Sequence, residues 1–288
     1  MLAKVVPLPW GLGRRWRGSS FDLPSLLILM AVSLASFAMA AETLCEPGFV
    51  QEPSPSRRVI PVAASNPETT ARAVTIQWLG HSSFLLITVG GTTALTDLHS
   101  WHVSPLPPDV VTISNEHSTH NQGRSAPGSA RMLRGWAADG KAAEVNVTVG
   151  DRSVKSLPSS GGNSIEVPVP NTIFVFRTAG LCIVHLSNLR RPLNDEQRQR
   201  LSRPDVLMVP TDGQWTLPYE QVAATIALLR PALVLPMHYD IPEHARLFMQ
   251  FIKATVPVRT LGDTTLKLTR AALPSTSEVV VFGYREGD

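Results

Sequence analysis

Four histidines, His117, His120, His185 and His238, each stand just past or at the end of an apolar run of strand character. Neutral imidazole is a common ligand for zinc and similar ions, and loops leaving buried strands are where such ions are held. The segment Ser114-Asn115-Glu116-His117-Ser118-Thr119-His120 follows Val110-Val111-Thr112-Ile113, and His238 follows Leu233-Val234-Leu235-Pro236-Met237. A lone histidine on an apolar strand is commonly a core residue with a satisfied ring, but four at the ends of strands point to one shared pocket. Their polar companions are Asn115, Thr119 and Asn188, which offer two amide oxygens and a hydroxyl. None is anionic. Two dications about 3.5–4 Å apart share a bridging oxygen and need carboxylates to offset their charge. The donor set therefore fits one divalent ion at most, zinc or manganese, or none.

The order and spacing of these segments resemble the metallo-β-lactamase fold. That family carries His-x-His-x-Asp-His after its strand, where this chain has Asn-x-His-x-Thr-His at 115–120. Val184-His185-Leu186-Ser187-Asn188 is similar to the family's His-x-Gly-Asp segment, and Pro236-Met237-His238 to its late Pro-x-His motif. Trp78-Leu79-Gly80-His81-Ser82-Ser83-Phe84, followed by Leu95-Thr96-Asp97, is similar to the lactonase-like branch that contains ascorbate-phosphate lactonase. The resemblance spans roughly residues 73 to 285. It implies an α/β fold, a four-layer αββα sandwich with its pocket at one edge. It also implies one metal site built from positions 115, 117 and 185, and a second from 119, 120, 188 and 238. Two imidazoles remain in each, at His117 and His185 and at His120 and His238. The implied activity is hydrolysis of an ester, lactone or amide through metal-activated water. The alternative is a non-catalytic protein that keeps the pocket for a small ligand.

Other residues bear on the chemistry less directly. His81 reads equally as a pocket residue and as part of a hairpin turn, while His99, His102 and His244 read as surface residues. Asp97 reads as a structural carboxylate holding the loop after its strand, and Asp212 as a base if it reaches the pocket. Ser114 and Ser118 lack the Gly-x-Ser-x-Gly setting of a serine nucleophile. In the Gly- and Pro-punctuated loop from Asn121 to Ala143, Trp136 lines a pocket or covers the core. Replacement ligands between Asn121 and Val184 reduce to Asp139, Glu144, Asp151 and Glu166, none with motif spacing.

The elements that must position these groups are legible in the hydrophobic pattern. Val74 to Trp78, Phe84 to Ile87 and Thr93 to Thr96 read as strands, as do alternating Val145, Val147 and Val149, which turn at Gly150-Asp151 toward Val154. Asn171 to Phe176 and Leu181 to Leu186 form a buried hairpin, and Val206 to Val209 a further strand. Asn194, with Gln197 three residues on, is a capping box for a helix through Leu201. Thr216 opens a helix with Val222, Ile226 and Leu229 on one face, closed by Pro231. A last helix from Pro242 places Leu247, Phe248 and Phe251 inward.

Lys4, Arg14, Arg15 and Arg17 precede a charge-free run from Leu23 to Ala40 that ends in Ala38-Met39-Ala40, the three parts of a signal peptide over residues 1–40. Export to the periplasm or medium follows, with no stable membrane anchor after cleavage. Residues 41–72 read as a Pro- and Ser-rich tail, and 73–288 as the domain. Removing residues 1–40 takes four Lys/Arg and one Asp from the 26 and 23 of the whole chain, leaving 22 of each. A neutral chain argues against nucleic acid as partner, since phosphate binding needs clustered Lys and Arg. A small-molecule substrate or ligand is expected instead. The two cysteines, Cys45 and Cys182, make no disulfide framework, and Cys182 reads as a small core residue, a bridge between the two being the minor alternative. N-terminal sequencing of protein from its native host is expected to read a start near Ala41; an intact Met1 on a membrane-embedded product would refute export by cleavage.

Overall fold

In the computed structural model of the chain, residues 42–45, 72–99, 103–160, 170–239 and 242–283 are described. Two mixed sheets pack face to face. The first has six strands in the order β13-β1-β2-β3-β4-β5, the second eight in the order β12-β14-β11-β10-β9-β8-β7-β6. The first comprises β1 (Ala73–Gly80), β2 (Ser83–Thr88), β3 (Thr93–Thr96), β4 (Val110–Ile113), β5 (Arg131–Arg134) and β13 (Thr265–Thr269). The second comprises β6 (Asn146–Val149), β7 (Arg152–Ser160), β8 (Pro170–Thr178), β9 (Leu181–His185), β10 (Val206–Pro210), β11 (Leu233–Met237), β12 (Val258–Leu261) and β14 (Glu278–Phe282). Among the described residues three α-helices accompany them: α1 (Asp195–Arg200), α2 (Tyr219–Leu229) and α3 (Pro242–Ile252).

Alternation along each strand divides its side chains between two cores. Ile183 and Leu181 of β9 face the inter-sheet core with Ile76, Phe84, Phe174, Phe176, Met208 and Phe282. Cys182 and Val184 of the same strand face the helices, with Val222, Ile226, Phe248 and Ile252. The fold is the αββα sandwich, with one difference. Among the described residues, Leu85, Leu95, Val111 and Ile113 on the outer face of the first sheet are covered by Leu98 and Trp136 and not by an α-helix. Beside β4 lies the 3-10 segment Gly123–Ser125, whose Gly123 is so close to Val111 that a Cβ would sit 2.5 Å from its Cγ1. Arg152 ties the two sheets together at their edge. Its buried Nη2 donates to the carbonyls of Leu86 and Thr92 at 3.2 and 3.4 Å, and burial pushes the guanidinium pKa down to about 10.

The capping box at Asn194 forms in both directions: the Asn194 side chain accepts from the Gln197 amide, and Gln197 accepts from the Asn194 amide. The next helix begins later than Thr216, at Tyr219, because the Thr216 amide and hydroxyl are taken by Asp212. In α3 the inward stripe is Ala245, Phe248 and Ile252, while Leu247 and Phe251 are partly exposed. The strands β12 to β14 carry no sequence motif. No helix among the described residues is long and apolar enough to cross a membrane.

Cys45 and Cys182 are joined in a disulfide, correcting the reading of Cys182 as an unpaired core residue. The reason lies outside the local sequence. Residues 42–45 leave the expected tail and dock on the helix side of the second sheet, where Leu44 is 2% exposed and its amide donates to the Arg200 carbonyl. That docking brings two cysteines 137 residues apart to a Cα separation of 5.6 Å. The rest of the expected tail and the expected signal segment lie outside the described residues. A crosslink closing so long a loop restricts the unfolded chain, so the double variant Cys45→Ser with Cys182→Ser should lose about 2–5 kcal/mol in urea unfolding. An unchanged midpoint would show the bridge contributes nothing.

Candidate metal centre

The parallel strands β3, β4, β9, β10 and β11 all end at one edge of the sandwich, where ligand sites of open parallel sheets form. Asp97 follows β3, Ser114 to His120 follow β4, His185 to Asn188 close β9, Asp212 follows β10 and His238 follows β11. The turn between β1 and β2 adds His81 from the facing side.

His81, His120 and His238 converge, each presenting a ring nitrogen within 4.8 Å of the others. The His81 and His238 rings lie 4.0 Å apart centre to centre. Their approach is fixed by backbone. Gly80 and His81 adopt positive φ, and the His81 carbonyl accepts both the Trp78 indole N–H and the His238 amide at 3.1 Å. Asp97, Ser187 and His238 also take positive φ, strain of the kind that collects at functional sites.

Carboxylates stand behind two of the imidazoles. Asp97 is fully buried and accepts from the Ser114 amide, the Ser114 hydroxyl and His120 Nδ1 at 2.8, 2.5 and 2.8 Å. Burial nevertheless pushes its pKa up to about 6. Asp212 Oδ2 lies 2.5 Å from His238 Nδ1, and its Oδ1 accepts the amides of Gln214, Trp215 and Thr216. Burial opposes its ionisation, but His238 and the backbone amides outweigh that and hold the carboxyl well below its usual range. Both Nδ1–H groups are thus turned away from the pocket, and the two Nε2 atoms face each other 3.3 Å apart. Two imidazole lone pairs at that distance repel unless a cation or a proton lies between them. Zinc–nitrogen bonds of about 2.0–2.1 Å arranged tetrahedrally put neighbouring nitrogens about 3.3–3.4 Å apart. Burial first, then neighbouring imidazoles, lower the proton affinity of His81 and His120, which favours the neutral ligand form. The donor set fits one metal ion, and the carboxylate–histidine pairs are the supports that metal-binding imidazoles use.

The other two histidines are placed differently. His185 is buried in the inter-sheet space, where Nε2 donates to the Ser82 carbonyl and Nδ1 meets the Ser187 hydroxyl, each at 3.0 Å. Both its nitrogens are engaged by the protein. His117 is at the exposed rim, its Nδ1 2.9 Å from Thr119 Oγ1 and its ring centre 6.4 Å from that of His120. Between them runs a ladder of buried amides. Asn171 Oδ1 accepts from Asn115 Nδ2 at 3.4 Å and from the Asn188 amide at 3.1 Å, and Asn115 Oδ1 accepts the His117 amide at 2.9 Å.

Sequence reasoning left His81 undecided between pocket and turn; it is both. His99 is 2% exposed, with its ring 5.1 Å from that of His81, rather than a surface residue; His244 is half-buried and His102 lies outside the described residues. Asp139, Glu144 and Asp151 are exposed and outside the cluster, and Glu166 is not described. Ser114 is buried behind Asp97, with no access for a substrate, and Trp136 belongs to the core under β4. Asn171, the hub of the amide ladder, was missed; it carried no signal beyond opening a strand.

Residues 75–238 match the family described as the β-lactamase superfamily domain. A protein named UPF0173 metal-dependent hydrolase from Hyperthermus butylicus is 25% identical over 193 residues, covering 57% of this chain and 83% of its own. One of the same description from Methanosarcina barkeri is 23% identical, covering 65% and 94%. Among solved structures, a proposed Zn-dependent hydrolase of the metallo-β-lactamase superfamily from Thermotoga maritima is 25% identical, covers 73% of this chain and 98% of its own, and has a TM-score of 0.55. A metallo hydrolase from Ignicoccus hospitalis, 19% identical with coverage of 68% and 98% and a TM-score of 0.51, shares the fold. Histidines at the ends of parallel strands, two facing sheets and a match over more than half the chain lead to one conclusion: this chain belongs to the metallo-β-lactamase superfamily.

Proposed function

We propose that this protein is an exported hydrolase of an ester, lactone or amide that works with a single divalent ion, zinc or manganese, held by His81, His120 and His238. The observation that carries the reading is the facing pair of Nε2 atoms, each aimed by a buried carboxylate on its Nδ1. When bound there, a divalent ion supplies a Lewis acid that polarises a carbonyl and acidifies water. The residues do the rest. Asp97 and Asp212 hold the tautomer and orientation of His120 and His238, and the buried walls exclude bulk solvent.

A second ion has no comparable seat. His185 is committed to Ser82 and Ser187, the Asn115 side chain donates to Asn171 and accepts from the His117 amide, and the Asn188 side-chain oxygen accepts from Arg190. The site's lack of carboxylate on the ligand side leaves charge repulsion between two dications uncompensated, on the order of 16 kcal/mol at about 4 Å and an effective dielectric near 20. The disulfide supports export, since such bridges persist in oxidising compartments. One observation favours the alternative of non-catalytic ligand binding: both site carboxylates are engaged by imidazoles and by backbone or hydroxyl donors, leaving neither obviously poised to move a substrate proton.

Protein purified without added metal is expected to carry one equivalent of zinc or manganese or less by elemental analysis. His120→Ala and His238→Ala should abolish that content, Asp97→Asn and Asp212→Asn should weaken affinity about 10–100-fold, and His117→Ala should leave it unchanged. Two tightly held ions in the unmodified protein would overturn the single-ion reading. Hydrolysis of a panel of esters, lactones and amides by zinc-loaded protein, lost in His120→Ala, is expected; a loaded protein that turns over none would favour the binding role. In the converse direction, Thr119→Asp with Asn188→Asp, and Asn115→His if needed, should raise zinc content toward two. A triple variant that folds yet still holds one ion would show that the amide positions do not limit occupancy.

A further inference from the structure

His117 stands at the exposed rim of the histidine cluster, on a loop whose path is fixed by hydrogen bonds. Asn115 Oδ1 accepts the His117 amide at 2.9 Å, the His117 carbonyl accepts the His120 amide at 2.9 Å, and Asn115 is itself buried and bonded to Asn171. The ring centre of His117 lies 6.4 Å from that of His120, edge-on at 63°. By comparison, the ring centres of His120 and His238 are 5.3 Å apart, and their Nε2 atoms meet. His117 therefore borders the point that those two nitrogens share without joining them there, and it is not one of the three converging ligands.

Thr119 decides which nitrogen of that ring carries the hydrogen. Its hydroxyl oxygen lies 2.9 Å from His117 Nδ1, and its backbone amide donates to the same nitrogen at 3.4 Å. An amide N–H can only donate, so Nδ1 accepts and the hydrogen of the neutral ring is on Nε2. No group among the described residues accepts it. A carboxylate at position 119 would do the reverse, because a group that only accepts draws the hydrogen to Nδ1. The other imidazoles of the site have their N–H groups engaged: His120 and His238 donate from Nδ1 to Asp97 and Asp212, and His185 donates from Nε2 to the Ser82 carbonyl. His117 alone of these four keeps a donor for a ligand.

We infer that His117 is a catalytic hydrogen-bond donor, whose Nε2–H receives the substrate oxygen on which negative charge develops when water adds to a carbonyl carbon. Thr119 is the positioning residue that sets its tautomer. No proton leaves the ring: a neutral imidazole donor strengthens its hydrogen bond as charge grows on the oxygen, which stabilises the transition state more than the bound substrate. The inference rests on the hydrolase reading above and adds the residue that acts beside the ion.

The test uses the full zinc-loaded protein at about pH 8, where a histidine of ordinary pKa is neutral. The substrates are 4-nitrophenyl acetate, dihydrocoumarin and 4-nitroacetanilide, an ester, a lactone and an amide. On whichever of them is turned over, His117→Ala should lower kcat about 100- to 1000-fold, the scale of one lost oxyanion donor, with KM, zinc content and the urea midpoint close to wild type. His117→Gln, which keeps an N–H donor, should recover part of the loss, and Thr119→Val should lower kcat by less than His117→Ala does. Nitrogen-15 NMR of the wild type should find the ring hydrogen of His117 on Nε2. A hydrogen on Nδ1, or turnover that survives His117→Ala, would overturn the inference and leave the hydrolase reading standing. Zinc content that falls together with kcat in His117→Ala would make the residue a ligand and overturn it as well. Wild type that turns over none of the three substrates, whether or not it takes up zinc, would remove both readings.

Discussion

A carboxylate sealed from water must find donors, and Asp97 finds three of them, all in the loop that follows β4. Its backbone amide bonds to Thr112 of β4, its oxygens take the Ser114 amide and hydroxyl, and one of them also holds His120. That single buried group joins the ends of β3 and β4, fixes the start of the loop carrying His117 and His120, and orients the imidazole of His120 within the histidine cluster. The residual cost of burying it is visible in its raised pKa of about 6. Such a cost is sustained only where the surrounding backbone over-determines the arrangement, and the positive φ at Asp97 shows the chain bent to meet it. The same logic recurs at Asp212, whose three backbone donors form a cradle that aims its other oxygen at His238.

Charge is distributed in layers around this edge of the sandwich. Carboxylates stand behind the imidazoles of His120 and His238, and an amide ladder of Asn115, Asn171 and the Asn188 backbone takes the flank. Amides satisfy one another by hydrogen bonding without net charge, so the flank is rigid and neutral. Arg190 extends this polar flank by donating its Nε–H to Asn188 Oδ1 at 3.4 Å. Asn115, Asn171 and Asn188 thus make one connected polar structure.

The N-terminal strap shows how much a distant segment can contribute. Leu44 and Cys45 complete the core under the helices, Glu42 pairs with Lys155, and the disulfide fastens the strap to β9, the strand that ends at His185. The element that supplies His185, Ser187 and Asn188 is therefore clamped on its outer face as well as within the sheet.

The sequence by itself determined the strands with period-two or unbroken apolar runs, the capping box at Asn194, the superfamily and the presence of His120 and His238 at one edge. These rest on local pattern and on motifs with fixed spacing, which survive without knowledge of the partner strands. Tertiary structure alone decided which imidazoles converge. His81 reaches the cluster through a left-handed turn and a hydrogen bond from the His238 amide, about 157 residues away along the chain. His185 turns its Nε2 to the Ser82 carbonyl, and Asn171 links two loops that carry the recognised motifs. The disulfide and the strands β12 to β14 belong to the same class: long-range pairings whose partners carry no mutual signature. A side chain's direction depends on the backbone φ at its own position and on donors supplied from elsewhere in the chain, and neither is written in the local run of residues.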